Sequence, residues 1–187
     1  MTITDDNGCQ YILSAIEIEE PTLLVAEVVD VMGVSCNGES DGSAIVNATG
    51  GTTPYTYTWP VNAGGQATAS ATDLAAGSYE VIVTDFYGCE ATVVVTIDEP
   101  ELLTAEATKI SDVSCNGGTD GSAYVLGTGG TEPYTYLWSN GSTDQTATGL
   151  AAGTYTVLII DAHGCIASDE VTITEPATAV QVTITEV

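Results

Sequence analysis

Two long segments of the chain repeat the same landmarks in the same order. The string VSCNG at residues 34–38 returns at residues 113–117, which is 79 positions later (113 minus 34). The string PYTYTW at residues 54–59 returns as PYTYLW at residues 133–138, again 79 positions later. A repeat of this length indicates an array of similar modules, so the question becomes what such an array is for.

The length of the repeat changes at one place. The string LAAG at residues 74–77 returns at residues 150–153, which is only 76 positions later (150 minus 74). The three-residue difference therefore falls in residues 60–71, between two shared landmarks. A length change confined to one segment is typical of a surface loop.

Recurring short motifs set the domain boundaries. The pattern Asp-x-x-Gly-Cys ends near Cys9, Cys89 and Cys165, and a Glu-Pro pair follows each copy about ten residues later. These landmarks predict four parts, which are the C-terminal part of a preceding repeat (1–21), two complete repeats (22–100 and 101–176) and the first strand of a following repeat (177–187). The chain is thus expected to be a piece of a longer array.

The charge of the chain excludes two classes of partner. It carries 26 acidic residues against one basic residue, Lys109, for a formal net charge of −25. Such a chain is not expected to bind nucleic acid or an anionic membrane surface, because both are negatively charged. No run of 18 apolar residues occurs, so membrane insertion is not expected either. The acidity is equally consistent with solubility alone.

The pattern of apolar residues predicts an all-β fold. Short alternating runs are separated by Gly, Asn and Asp, and no helical period is present. About seven short strands in under 80 residues indicate a compact immunoglobulin-like β-sandwich in each repeat. Trp59 and Trp138 are expected in the core, and Tyr79 and Tyr155 are expected to form tyrosine corners. Because Tyr55 and Tyr57 share a strand face with Trp59, we interpret that aromatic row as core rather than as a glycan platform.

The five cysteines occupy repeat-locked positions and predict disulfides in an oxidising compartment. The candidate bonds within one repeat are Cys36–Cys89 and Cys115–Cys165. In an immunoglobulin-like sandwich, however, the turns that hold these cysteines lie at opposite ends, about 17–20 Å apart, whereas bridged Cα atoms lie within about 7 Å.

Head-to-tail stacking of repeats would instead allow a bond between Cys36 and Cys165. We favour this inter-repeat staple, in which Cys9 and Cys89 need cysteines from earlier repeats and Cys115 needs one from a later repeat. The bonds within a repeat and free thiols stay open as alternatives. The spacing and the single histidine argue against a zinc site.

A set of carboxylates could hold calcium at the same junction, because stacking would bring them together. Calcium needs six to eight hard oxygen ligands. The candidate ligands are Glu39, Asp41, Asp98, Glu99 and Asp161. The alternative is that these residues only form turns, which Asp-Gly and Asp-x-x-Gly strings commonly do. No other cofactor is expected.

The ordered landmarks resemble the SprB-type repeat over essentially the whole chain. They run Val-Ser-Cys-Asn-Gly, Asp-Gly-Ser-Ala, Thr-Gly-Gly-Thr, Pro-Tyr-Thr-Tyr-x-Trp, Leu-Ala-Ala-Gly-x-Tyr, Asp-x-x-Gly-Cys and Glu-Pro. The resemblance implies immunoglobulin- or PKD-like modules of large secreted cell-surface adhesins of Bacteroidota. Such adhesins are associated with gliding motility and type IX secretion. The family has no catalytic residues to transfer to this chain.

These observations predict a structural segment, and not an enzyme, because no catalytic constellation or nucleotide-binding fingerprint is present. We expect the stalk or fibre of an extracellular, cell-surface adhesin that contacts neighbouring repeats. Lateral self-assembly or contact with surface polysaccharide is left open. The alternative is a glycan- or partner-binding module, which could be accessory to a secreted enzyme.

Overall fold

The computed structural model describes residues 2–12 and 18–177. The strand predicted for residues 177–187 therefore falls outside the described residues apart from its first position. Within the described part the chain is almost entirely β-structure, with a single 3-10 turn at Val61–Ala63 and no α-helix.

The strands are numbered in chain order. A short N-terminal hairpin contains β1 (Thr2–Thr4) and β2 (Gln10–Ile12). The first complete repeat contains β3 (Val25–Met32), β4 (Gly42–Thr49), β5 (Thr56–Thr58), β6 (Ser70–Leu74), β7 (Gly77–Thr84) and β8 (Glu90–Ile97). The second contains β9 (Thr104–Ser111), β10 (Gly121–Thr128), β11 (Thr135–Trp138), β12 (Thr146–Leu150), β13 (Gly153–Ile160) and β14 (Ile166–Ile173).

Each complete repeat packs two three-stranded antiparallel sheets face to face. The first repeat has the sheets β3-β4-β6 and β5-β7-β8, and the second has the equivalent sheets β9-β10-β12 and β11-β13-β14. The all-β, immunoglobulin-like prediction is confirmed. Each repeat has six strands, one fewer than the seven that the sequence indicated.

The period of two in the sequence explains which side chains form the core. In β4, residues Gly42, Ala44, Val46 and Ala48 are buried, while the residues between them face outward. Successive side chains of a strand point to opposite faces, so this alternation places one apolar row between the two sheets. The same pattern buries Val157 and Ile159 of β13 in the second repeat.

The aromatic residues anchor the two cores as predicted. Trp59 and Trp138 are each only 1% exposed, and their indole N–H groups donate to the carbonyl oxygens of Thr68 and Asp144, each at 2.9 Å. The hydroxyl of Tyr79 donates to the carbonyl of Ala75 at 2.7 Å, which is the hydrogen bond of a tyrosine corner.

The N-terminal hairpin has the register of the last hairpin of a complete repeat. Ile3 pairs with Tyr11 across β1 and β2, and Val83 pairs with Ala91 across β7 and β8. The offset is 80 residues in both strands (83 minus 3, and 91 minus 11). Residues 2–12 therefore fold as the β7–β8 hairpin does.

Candidate functional site

A disulfide bond joins the two complete repeats. Cys36 lies on the turn between β3 and β4, and Cys165 lies at the end of the turn between β13 and β14. Their Cα atoms are 5.7 Å apart although the residues are separated by 129 positions. This is the inter-repeat pair that head-to-tail stacking favours. The two bonds within a repeat that the sequence left open, Cys36–Cys89 and Cys115–Cys165, are not formed, and Cys9, Cys89 and Cys115 are free and exposed.

A carboxylate shapes the turn that carries Cys36. The backbone N–H of Ser35 donates to Asp41 Oδ1 at 2.9 Å, and the N–H of Glu39 donates to the carbonyl of Cys36 at 3.1 Å. Hydrogen bonds from the side chain and backbone of Ser35 lower the pKa of Asp41, since they favour its charged form. The turn is thereby held in one conformation with its cysteine at the tip.

The same turn holds the linker that leaves its own repeat. The side-chain amide of Asn37 donates to the carbonyl of Pro100 at 3.0 Å, and the N–H of Gly38 donates to Glu99 Oε2 at 3.0 Å. These contacts explain why Cys-Asn-Gly and Glu-Pro recur together. The first motif supplies the donors and the second supplies the acceptors.

The second repeat makes the same contacts at its far end. The amide of Asn116 donates to the carbonyl of Pro176 at 3.0 Å, and the N–H of Gly117 donates to Glu175 Oε2 at 2.6 Å. Each repeat therefore makes these hydrogen bonds to the linker that follows it, and they are not confined to one junction. Sequence reasoning missed this role of Asn37 and Asn116, although the joint recurrence of the two motifs was available as a signal.

The following repeat holds the next residue of the linker. The N–H of Gly130 donates to the carbonyl of Glu101 at 2.7 Å. Gly130 has φ +61°, and an added Cβ would lie 2.6 Å from Asp161 Oδ2 and 3.1 Å from a methyl group of Leu103. The position thus requires glycine. Pro100 and Glu101 are neighbours in the chain, yet their carbonyls accept hydrogen bonds from different repeats. The contacts of the first repeat therefore end where those of the second begin.

A buried carboxylate positions Cys165. Asp161 is 6% exposed; its Oδ1 accepts from the N–H groups of His163 and Cys165, each at 2.9 Å, and its Oδ2 accepts from Thr131 N–H at 2.8 Å. Burial acts to raise the pKa of Asp161, but the hydrogen bonds from Thr131, Cys165 and His163 outweigh it and the pKa is lowered. The charged carboxylate ties the cysteine turn to the loop that holds the linker.

Three of the five carboxylates predicted for calcium accept hydrogen bonds from the backbone. Asp41, Glu99 and Asp161 accept backbone N–H groups as described above, and Asp98 gives its carbonyl oxygen to Val34 N–H at 3.0 Å. Glu39 lines a cleft beside the disulfide. Residues 2–12 and 18–177 contain no group of three or more His, Cys, Asp or Glu side chains that could hold a metal ion. Calcium binding stays a prediction to which the structure adds no support.

The cleft beside the disulfide lies between the repeats and has a volume of about 350 Å³. Cys36, Asn37 and Glu39 form one wall, and the other wall belongs to the following repeat. That second wall consists of Glu101, Leu102, Leu103, Gly130, Gly164, Cys165 and Ile166. The joint is therefore a docked surface as well as a covalent bond.

Comparison with known protein families finds one match in each complete repeat. The family described as the SprB repeat matches residues 28–68 and 107–143, once in each complete repeat. The two matches make each complete repeat similar to the SprB repeat over part of its length. Each match lies within an immunoglobulin-like module, and the match and the disulfide are consistent with an extracellular or surface location. The matched segments contain the Cys-Asn-Gly turn and the core tryptophan, but stop short of the Asp-x-x-Gly-Cys turn.

Solved structures share only a distant likeness with this chain. A C-terminal 282-residue fragment of intimin, in complex with the intimin-binding domain of its translocated receptor, is 15% identical over 79% of this chain and 64% of that one, with a TM-score of 0.41. The first two immunoglobulin domains of DIP-gamma are 12% identical over 80% and 97%, with a TM-score of 0.36. The BSP domain of a biofilm-associated protein is 17% identical over 81% and 30%, with a TM-score of 0.25. Scores this low carry no argument about function.

No functionally curated protein matches the chain. In the part that the structure describes, none of the elements is a helix of the length and apolar character needed to cross a membrane.

Proposed function

We propose that the repeats form a stiff segment of the stalk of an extracellular, cell-surface adhesin, with no catalytic role of their own. The observation that carries the proposal is the joint. Adjacent linker carbonyls, those of Pro100 and Glu101, accept hydrogen bonds from different repeats, and the Cys36–Cys165 bond closes the junction covalently.

Such a joint has few ways to bend. The proline ring fixes φ at Pro100 and restricts the residue before it, and Glu99 is further held through its side chain by Gly38. Bending would have to break hydrogen bonds on one side of the linker while the disulfide limits the separation of the two repeats. A stalk benefits from this property because stiffness transmits position and force over the length of the array.

The charge of the chain suits parallel stalks. At a net charge of −25 the molecules repel one another, although salt limits the range of the repulsion to about 8 Å at physiological ionic strength. Neighbouring stalks would therefore stay apart except at short distance. Use in gliding, export by a type IX system and assembly into filaments are further proposals that rest on the family resemblance.

The outer surface favours a spacer over a module that binds ligand in every copy. Phe86 and Tyr87 are exposed on the β7–β8 turn, with ring centroids 5.1 Å apart in an edge-to-face contact. The equivalent residues of the second repeat are Ala162 and His163. A ligand platform used in every repeat would need a matching patch, and this one is not repeated.

The proposal is tested by the relative orientation of the two repeats in solution. Residual dipolar couplings measured on the oxidised chain should fit one alignment tensor for β3–β8 and β9–β14 together. The matched control is the Cys89→Ser, Cys115→Ser variant, which leaves the joint intact and should give the same result. Two clearly different tensors in the oxidised chain would overturn the proposal, because they would mean independent beads on a flexible linker.

A further inference from the structure

The first repeat has an open groove at the end that faces away from the joint. The groove has a volume of about 320 Å³, and its lining residues are Glu20, Pro21, Thr22, Leu23, Leu24, Gly51, Asp85, Cys89 and Glu90. Cys89 is free and exposed, and Leu23 is 83% exposed. This end of the repeat therefore presents a large apolar side chain beside a free thiol, and no other described residues cover them.

This groove is the counterpart of one wall of the joint. Six of its positions coincide with positions that line the cleft between the repeats, at offsets of 79 residues before the variable loop and 76 after it. The pairs are Thr22 and Glu101, Leu23 and Leu102, Leu24 and Leu103, Gly51 and Gly130, Cys89 and Cys165, and Glu90 and Ile166. At the joint the opposite wall is the Cys36 turn; at the first repeat that wall is missing from the described part of the chain.

Hydrogen bonds within the first repeat hold the groove in shape without a partner. Asp85 Oδ1 accepts from Cys89 N–H and Asp85 Oδ2 accepts from Thr52 N–H, each at 2.9 Å, as Asp161 does for Cys165 and Thr131. The N–H of Gly51 donates to the carbonyl of Thr22 at 2.7 Å, as Gly130 does to Glu101. The surface that receives the Cys36 turn at the joint is thus present a second time with the same internal bonds.

We infer that the groove at Cys89 is the docking site for the Cys-Asn-Gly turn of another repeat of this kind, whose cysteine forms a disulfide with Cys89. The inference rests on the proposed function and extends it to a specified partner and register. The bond would form by thiol–disulfide exchange with a small disulfide oxidant. Two thiols lose two protons and two electrons, and the oxidant is reduced to two thiols.

The second repeat presents the complementary turn. Cys115 is free and exposed, and its turn has the bonds of the Cys36 turn, with Ser114 N–H donating to Asp120 Oδ1 at 2.9 Å and Asn116 holding Pro176. Each complete repeat therefore offers one cysteine to the repeat before it and one to the repeat after it. An array joined this way is cross-linked at every junction.

The test inserts a copy of residues 101–176 between Pro21 and Thr22 of the full chain. The copied turn suits the groove because Gly118 stands where the first repeat has Glu39, so no second carboxylate meets Glu90. Cys165→Ser in the inserted copy and Cys115→Ser in the original repeat leave five cysteines with distinguishable peptides. Non-reducing peptide mass spectrometry is expected to find the inserted copy's Cys115 bonded to Cys89, with Cys36–Cys165 retained and Cys9 alkylated by iodoacetamide.

Two outcomes separate this inference from the proposed function. If Cys36–Cys165 forms while the inserted Cys115 and Cys89 are both alkylated, the inference is wrong and the stalk joint stands. If neither bond forms, both fail. As a control, Cys115→Ser in the inserted copy should leave Cys89 fully alkylated. Retention of Cys36–Cys165 in the same molecule shows that the two original repeats have folded.

Discussion

The ends of the two complete repeats are alike, and their sides differ. At the ends, Asn37 and Asn116 make the same hydrogen bond, at 3.0 Å in both repeats. At the side, residues 60–69 contain a 3-10 turn at Val61–Ala63, whereas the second repeat has a tight turn in which the backbone N–H of Gly141 donates to the carbonyl of Trp138 at 2.8 Å. At the ends, the contacts that recur are those that hold the linkers.

The two loops that differ in length still make one equivalent contact with the core. Each offers a carbonyl oxygen to the buried indole N–H, from Thr68 in the first repeat and from Asp144 in the second. Different sequences and lengths can meet this requirement because only one backbone acceptor has to be in place. Requirements on the ends are stricter, since several donors and acceptors must match across the linker at once.

The largest effect is expected when the chain ends are pulled apart with and without the disulfide at the joint. The Cys36–Cys165 bond keeps the chain between the two cysteines, which are 129 positions apart, from being extended by the force. This part of the chain includes all of β4–β13. The Cys36→Ser, Cys165→Ser variant should release about 440 Å of additional contour length at full extension. Single-molecule force spectroscopy measures this length. Equal contour lengths in the oxidised chain and the variant would contradict the joint.

Replacing the buried carboxylate of Asp161 should affect both the stability of the second repeat and the rate at which the disulfide forms. Asp161→Asn places an amide NH₂ group against backbone N–H donors, so we expect the melting temperature of the second repeat to fall by more than about 5 °C, with slower oxidation of Cys165. Asp85→Asn is the matched control, because Asp85 makes equivalent bonds in the first repeat away from the joint. If both variants slow formation of Cys36–Cys165 equally, Asp161 has no particular role in positioning it.

Acid should weaken the far end of the second repeat. A hydrogen bond from Lys109 and another from Thr174 N–H lower the pKa of Asp112 to about 2, below the value of about 3.9 expected in the unfolded chain. The resulting stability is fully present above about pH 4 and is lost as the pH falls towards 2.

The effect of Asp112 is isolated by comparison with Asp112→Asn, because acid also reduces the overall repulsion between carboxylates. Urea unfolding of both proteins should give different midpoints at pH 7 and converging midpoints near pH 2. A difference that stays constant down to pH 2 would show that the charge of Asp112 contributes nothing.

Cutting one linker contact should have a smaller and local effect. Asn37→Ala removes the donor to Pro100 and should cost about 1 kcal/mol of folding free energy at most, while the alignment tensors of the two repeats begin to diverge. Asn116→Ala removes the equivalent bond to Pro176 and should leave the orientation of the described repeats unchanged. Equal divergence in the two variants would argue against a specific hold on the linker.

Calcium should have the smallest effect. Three of the five candidate carboxylates already accept backbone N–H groups, so calcium and magnesium should shift the melting temperature alike through screening of negative charge. A clearly larger stabilisation by calcium than by magnesium, reversed by EDTA, would show instead that a specific site forms.

Much of the fold could be predicted from the sequence because its signals are local. Alternation predicts strands with one apolar face, and Val157 and Ile159 are buried on that face of β13. Tyr79 is predicted in a tyrosine corner, and its hydroxyl makes the corner's hydrogen bond. The side of the repeat was predictable in the same way, from the length change in residues 60–71. These features depend on neighbours within a few positions, where periodicity is informative.

The joint was only partly predictable because its contacts are long-range. Stacking geometry favoured Cys36–Cys165, but the donor role of Asn37 depends on the path of a linker 63 residues away. The carboxylates show the opposite error. Stacking suggested Asp41 and Asp161 as metal ligands at the junction, whereas in the structure both accept hydrogen bonds from backbone N–H groups.

The measurement that tests the account most directly is the disulfide map of the native chain. Digestion with Glu-C or chymotrypsin under non-reducing conditions, followed by mass spectrometry, should yield a peptide in which Cys36 is linked to Cys165. Cys9, Cys89 and Cys115 should be alkylated in the isolated chain. A Cys36–Cys89 or Cys115–Cys165 peptide would contradict the account, because each repeat would then close on itself and the joint would have no covalent bond.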